Sequence, residues 1–149
     1  MATRFRRILV PVKGYPTDAD AINLACTLAK RDRGQVFAIY VIEVKRTLPI
    51  DVEVDEEIQR GEQILQQAEE YAHQSEFKIE TELLQAREVG PAIVDEAIDR
   101  EADLIILGTG YKRRFGEFDP GRTIPYVLKH APSAVWVLRE PAPVEALRR

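Results

Sequence analysis

Two hydrophobic periods alternate along this chain, and that alternation limits its fold more than any other feature. Arg7-Ile8-Leu9-Val10-Pro11-Val12 is a short, mostly apolar run. It gives way after Gly14-Tyr15-Pro16 to a stretch in which Ala21, Ile22, Ala25, Cys26, Leu28 and Ala29 recur at helical spacing. A strand buried on both faces reads as a continuous apolar run, whereas a helix packed on one side shows a 3.6-residue period. The first helix is expected to be capped by Thr17 or Asp18 and to stop at Arg33-Gly34.

The same pair of periods repeats to the end. Gln35 to Val44 is a second strand, apolar on both faces and therefore central. Lys45 to Val54 is a connection containing Pro49, in which Leu48, Ile50, Val52 and Val54 either line the mouth of a cleft or pack on the sheet edge. Asp55 to Glu76 is a long helix with Ile58, Leu65, Ala68 and Ala72 as its apolar stripe and acidic residues in its first turn. Lys78 to Leu84 alternates polar and apolar residues, as a half-exposed strand near a sheet edge does. Pro91 opens a third helix, Ala92 to Arg100, with Ile93, Val94, Ala97 and Ile98 inward. Leu104 to Leu107 is the fourth strand, Arg122 to His130 the last helix and Ser133 to Leu138 the fifth strand. Strands alternating with helices give a parallel sheet with right-handed crossovers. The expected fold is therefore α/β, a doubly wound five-stranded parallel sheet with helices on both faces. With 149 residues the chain is one domain's worth, read as a domain over 1–139 and a proline-containing tail over 140–149.

Composition narrows the function classes. A formal net charge of −4 gives no reason to expect nucleic acid as a partner, and no apolar run is long enough for a membrane span. The basic N-terminal stretch has no apolar region after it and is not read as a secretory signal. The single cysteine, Cys26, lies on the apolar stripe of the first helix and reads as a packed thiol. These features point to a cytoplasmic protein. His73 and His130 are isolated, and no metal site is expected. His130 at a helix end suits the dipole there. A Walker A loop and a dinucleotide fingerprint are both absent, and the strand ends Lys13, Val44, Gln85 and Gly108 supply no catalytic set. No enzyme activity is expected.

The chemistry concentrates between Leu104 and Leu138. The fourth strand empties into Gly108-Thr109-Gly110, continues through Tyr111-Lys112-Arg113-Arg114-Phe115-Gly116, and reaches Gly121-Arg122-Thr123 at the mouth of a helix. A buried strand followed by glycines and a helix N-terminus is an arrangement that binds anions through backbone N–H groups. In the commonest five-stranded order, strands one and four flank the ligand cleft, which sets Lys13-Gly14 opposite Gly108-Thr109-Gly110.

This stretch resembles the C-terminal signature of the universal stress protein family. Nucleotide-binding members read Gly, two residues, Gly, nine residues, Gly, then Ser or Thr. Here those positions hold Gly108, Tyr111, Gly121 and Arg122, with Thr123 adjacent. Ile8-Leu9-Val10-Pro11-Val12, Ala102 to Thr109 and His130-Ala131-Pro132 are further landmarks. The resemblance implies the strand order 3-2-1-4-5, a homodimer along the last strand, and either ATP binding or a nucleotide-free signalling role. It assigns Pro11, Val12, Lys13, Val41, Gly108, Thr109, Gly110, Tyr111, Gly121, Arg122 and Thr123 to a nucleotide or anion cleft, and Val135, Trp136 and Val137 to the dimer interface. Relatives that bind nucleotide usually carry Asp at the end of strand one, where this chain has Lys13.

The expected function is thus a non-enzymatic stress-response signalling or protective binding module with a degenerate cleft and an unidentified protein partner. The alternative is an ATP-binding member with slow hydrolysis or transfer activity. Lys13 and Arg122 are expected as poles of a site for a compact anion such as phosphate or sulfate, with weak or no ATP binding. Alternatively Lys112-Arg113-Arg114 is a solvated loop tip and Lys13 pairs with Glu117 or Asp119.

Overall fold

The computed structural model describes residues 4–115 and 117–148. The first three residues of the basic N-terminal stretch, Gly116 of the long loop and Arg149 of the tail lie outside the described residues. The elements are β1 (Arg7–Pro11), α1 (Thr17–Asp32), β2 (Gln35–Glu43), α2 (Asp55–Gln74), β3 (Glu80–Ala86), α3 (Val89–Asp99) and β4 (Leu104–Thr109). They continue with β5 (Arg113–Arg114), β6 (Glu117–Phe118), α4 (Thr123–His130), β7 (Ala134–Arg139) and α5 (Val144–Leu147). A five-stranded sheet runs in the order β3-β2-β1-β4-β7, all parallel. This is the expected order, with the last strand renumbered because β5 and β6 form a small antiparallel hairpin inside the loop. β1 is central, Ile8 pairing with Val36 on one side and Leu104 on the other.

The period of two in the strands divides the core into two layers. Ile8, Val10, Val36, Ala38, Leu104 and Ile106 face α1 and α2, meeting Ile22, Ala25, Cys26, Leu65, Ala68 and Ala72. Leu9, Phe37, Ile39, Ile105 and Leu107 face the opposite way and meet Ile93, Val94 and Ala97 of α3 with Ile124 and Val127 of α4. Neighbouring residues on one strand thus serve opposite layers. Burying each large aliphatic side chain contributes roughly 1.5–3 kcal/mol, so neither layer is dispensable.

Two local expectations are corrected. Ile98 is 54% exposed rather than inward. On a helical wheel it lies about 90° from the mean direction of Ile93, Val94 and Ala97, at the margin of the stripe. Neither Thr17 nor Asp18 caps α1; Pro16 holds the cap position without a side-chain bond. The Asp18 carboxylate turns back to the end of β1 instead.

The connection between β2 and α2 is latched to the sheet. The Gln85 amide donates to the carbonyls of Ile50 and Val52, and Arg87 donates to those of Lys45 and Leu48. Leu48, Val52 and Val54 then line a cavity of about 220 Å³ with Ile42 and Val44. Among the described residues no helix is long and apolar enough to cross a membrane.

Candidate functional site

The cleft begins where β1 ends. Val12 donates its N–H to the Ile39 carbonyl at 2.9 Å, the last ladder-like bond on that side. The next two N–H groups turn to a side chain. Lys13 donates to Asp18 Oδ1 at 3.1 Å and to Oδ2 at 3.2 Å, and Gly14 donates to Oδ2 at 2.7 Å. Gly14 has φ of +86°, a left-handed conformation that favours glycine and lets successive amides converge on one acceptor. Asp18 is buried, and burial raises its carboxyl above the ordinary value against the lowering effect of these N–H bonds. Burial pushes the Lys13 amine down; nearby Asp18 opposes this and Lys112 adds to it. The expected pairing of Lys13 with Glu117 or Asp119 is not among the ion pairs of the described residues. Asp18, in the first turn of α1, is the carboxylate that Lys13 meets.

The second wall is the loop after β4. Gly108 abuts the start of α1: a Cβ there would lie 2.8 Å from Thr17 Oγ1 and 2.9 Å from Thr17 Cβ. Thr109 accepts the Glu140 N–H at 2.9 Å, and Glu140 Oε1 in turn accepts the Tyr111 N–H at 2.9 Å. The Tyr111 ring stacks on Phe118, centroids 5.5 Å apart and planes 10° from parallel. The Arg139 guanidinium lies 4.9 Å from the Tyr111 centroid and 5.7 Å from that of Phe118. Lys112 reaches the Tyr15 ring from the opposite wall, its Nζ 5.5 Å from the centroid. The loop closes with Gly121, at φ of +76°, donating to Asp119 Oδ1 at 2.9 Å.

The residues expected to form one site are partly separated. Lys13, Tyr111 and the Gly108–Gly110 segment lie around the ends of β1 and β4. Arg122 instead faces Glu43 at 4.0 Å, in a cavity of about 240 Å³ formed with Thr123, Glu88, Val89, Gly90, Pro91 and Tyr126. Lys13 does not line that cavity. Pro11 and Val12 are buried, and Val41 packs against the α3–α4 layer. Glu43 and Glu88 therefore share the Arg122 cavity, and the basic rim drawn from the sequence is interrupted by acid.

At the sheet edge, Val135 is half-buried while Trp136 and Val137 remain exposed. Trp136 makes an edge-to-face contact with Phe5 at 5.3 Å. Cys26 is fully buried, its thiol pushed up to about 11 by burial. His130 packs on Tyr126 in the last turn of α4. Among the described residues no group of His, Cys, Asp and Glu is arranged to hold a metal.

Sequence reasoning gave Asp18 only a capping role, and it missed Glu140 and the hairpin. Asp18 was legible as an acidic residue shortly after a glycine at a strand end. Glu140 follows from register alone: Gly108 pairs with Leu138 and Thr109 with Arg139, so the next residue of the tail falls beside Gly110.

Known proteins agree with this architecture. Residues 4–139 match the Universal stress protein family. Universal stress protein MJ0531 of Methanocaldococcus jannaschii is 28% identical over 143 residues, covering 92% of this chain and 84% of that protein. The universal stress protein UspA of Lactobacillus plantarum superposes with a TM-score of 0.70 at 25% identity, over 93% of this chain and 100% of that one. The universal stress protein of Archaeoglobus fulgidus in complex with dAMP superposes with a TM-score of 0.69 at 21% identity, over 91% of this chain and 98% of that one. With its sheet order, its glycine-bearing loop after β4 and a family match across nearly its whole length, the chain belongs to the universal stress protein family.

Proposed function

We propose that this protein is a non-enzymatic binding module in stress-response signalling or protection, with a nucleotide cleft that has lost ordinary ATP binding. It acts in the cytoplasm as a homodimer paired through β7 and engages a protein partner. One observation carries the reading of the cleft: four backbone donors around it are engaged by the chain's own carboxylates. Asp18 takes the Lys13 and Gly14 amides, Glu140 takes that of Tyr111, and Asp119 takes that of Gly121. An N–H group that already has a charged acceptor gains little from a phosphate.

At the Arg122 end, size and charge support the same reading, while a cavity of about 510 Å³ borders Gly14, Tyr15 and Asp18 at the other end. The cavity beside Arg122, about 240 Å³, falls below the ~300 Å³ at which small-molecule sites begin. It carries two glutamates against one arginine. Glu117 and Asp119 are the carboxylates a hydrolase would draw on near this loop, and Asp119 is already bonded to Gly121. Titration calorimetry of the purified protein with ATP, AMP and inorganic phosphate tests the proposal. The expected result is no ATP binding at micromolar concentration and no ATP hydrolysis above background. Micromolar ATP affinity overturns it in favour of an ATP-binding member of the family.

A further inference from the structure

We infer that Glu140 is the residue that closes this cleft to phosphate groups, by holding a carboxylate where a phosphate oxygen would otherwise meet the loop. The inference rests on the reading of the cleft as degenerate and names its cause.

Glu140 differs from the other internal acceptors. Asp18 and Asp119 bond to amides within five residues of themselves, as turn-forming aspartates commonly do. Glu140 comes from the far end of a different strand, 29 residues from Tyr111. Its backbone is fixed by its own N–H bond to Thr109, a continuation of the β4–β7 ladder. Its carboxylate lies over the bare α-carbon of Gly110, since a Cβ built there would sit 3.0 Å from Oε1. Gly110 therefore supplies the space and Tyr111 the donor. The residue before it, Arg139, covers the Tyr111 ring. Two consecutive residues of β7 and its extension thus hold the side chain and the backbone of Tyr111 respectively.

Tyr111 occupies the second glycine position of the family signature. An oxyanion arriving at this loop competes with Glu140 for the same N–H and is repelled by its charge. With Glu140 removed, Arg139 remains over the Tyr111 ring and Lys112 at the next position of the loop, while Lys13 across the cleft stays offset by Asp18, so the local balance at Tyr111 turns from acidic to basic and favours a phosphoryl group. The ligand class is a phosphate oxyanion, and separate titrations with inorganic phosphate, AMP and ATP distinguish the free ion from a nucleotide.

The test compares the unaltered protein with Glu140→Ala and Glu140→Gln, each confirmed as folded by circular dichroism and thermal melting. Titration calorimetry with the three ligands should show Glu140→Ala gaining at least about tenfold in affinity for one of them, the scale of one charge-assisted hydrogen bond freed for the ligand. Glu140→Gln keeps an oxygen acceptor without the charge and should gain less. The Tyr111 amide resonance of Glu140→Ala should move during the titration, which a general loosening of the tail would not produce. Folded Glu140→Ala binding no better than the unaltered protein, or binding without a shift at Tyr111, overturns the assignment. That outcome leaves the degenerate-cleft reading standing, whereas tight ATP binding by the unaltered protein overturns both.

Discussion

Gly108→Ala separates two explanations for the first glycine of the loop. If that glycine exists to admit a ligand, alanine should leave ligand-free stability nearly unchanged. The structure argues for packing instead. An added Cβ would sit 2.8 Å from Thr17 Oγ1, 2.9 Å from Thr17 Cβ and 3.3 Å from Thr17 O. Thr17 is only 4% exposed and opens α1, so the neighbour cannot swing into solvent. Overpacking of this kind costs roughly 1–3 kcal/mol, while replacing glycine by alanine returns about 0.4–1 kcal/mol through the unfolded chain. The net expectation is a loss of about 1–2 kcal/mol. With a urea m-value of about 2 kcal/mol/M, that moves the unfolding midpoint down by about 0.5–1 M. Thr17→Ala removes the Oγ1 contact but leaves the Cβ, so it should relieve Gly108→Ala partly, with a coupling of about 0.5 kcal/mol or more. Gly121→Ala is the control: nothing lies within 4 Å of its Cβ, and its φ of +76° alone should cost roughly 1–2 kcal/mol. A Gly108→Ala protein as stable as the unaltered one refutes the packing argument.

Two further predictions concern acid stability and assembly. Arg31 beside Asp32, with the Phe5 N–H, holds the Asp32 carboxyl down to about 2. A depressed folded-state value makes its contribution complete above the unfolded carboxyl range near ~3.9 and lost as pH falls toward about 2. Urea unfolding between pH 6 and pH 2 should therefore show a shallower acid decline for Asp32→Asn, and parallel curves would count against it. Asp18 runs the opposite way, since its raised carboxyl favours the folded state at acid pH and that contribution fades as pH rises through the folded value. For assembly, light scattering should give about twice the 17.0 kDa chain mass at micromolar concentration, and Val135→Lys should shift it to the monomer. A monomeric unaltered protein, or a dimer indifferent to Val135→Lys, refutes pairing through β7.

The fold was legible because its evidence is spread over many residues. Ile8-Leu9-Val10 and Leu104-Ile105-Ile106-Leu107 are apolar on successive positions, and that requires a layer on each face. No single misplacement disturbs the inference: Ile98 points outward and α1 lacks its expected cap, yet the order β3-β2-β1-β4-β7 stands. The hairpin was not legible, because Arg113–Arg114 and Glu117–Phe118 are two residues each and a period of two cannot be read from so short a run. What holds the hairpin is aromatic stacking between Tyr111 and Phe118 under Arg139, and the third member of that stack is far away in sequence.

The site was half legible for a related reason. Reading Lys13 as the loss of a carboxylate at the end of β1 treats a position as if it were a function. The amides of Lys13 and Gly14 leave the ladder where the strand ends, and partly buried N–H groups demand an acceptor wherever it comes from. Asp18 supplies it from the first turn of α1, so a carboxylate serves this strand end although position 13 is a lysine. The same demand at Tyr111 is met from β7's extension, and at Gly121 from Asp119. A glycine-bearing loop records where the backbone can turn or be approached closely, because φ and the absence of a Cβ are written into the residue type. It does not record who accepts from its N–H groups, since the acceptor is set by strand register and loop closure. In this family member those two settings bring carboxylates of the chain itself to the donors, which is why changing an acceptor such as Glu140 is a sharper probe of the cleft than changing the glycines.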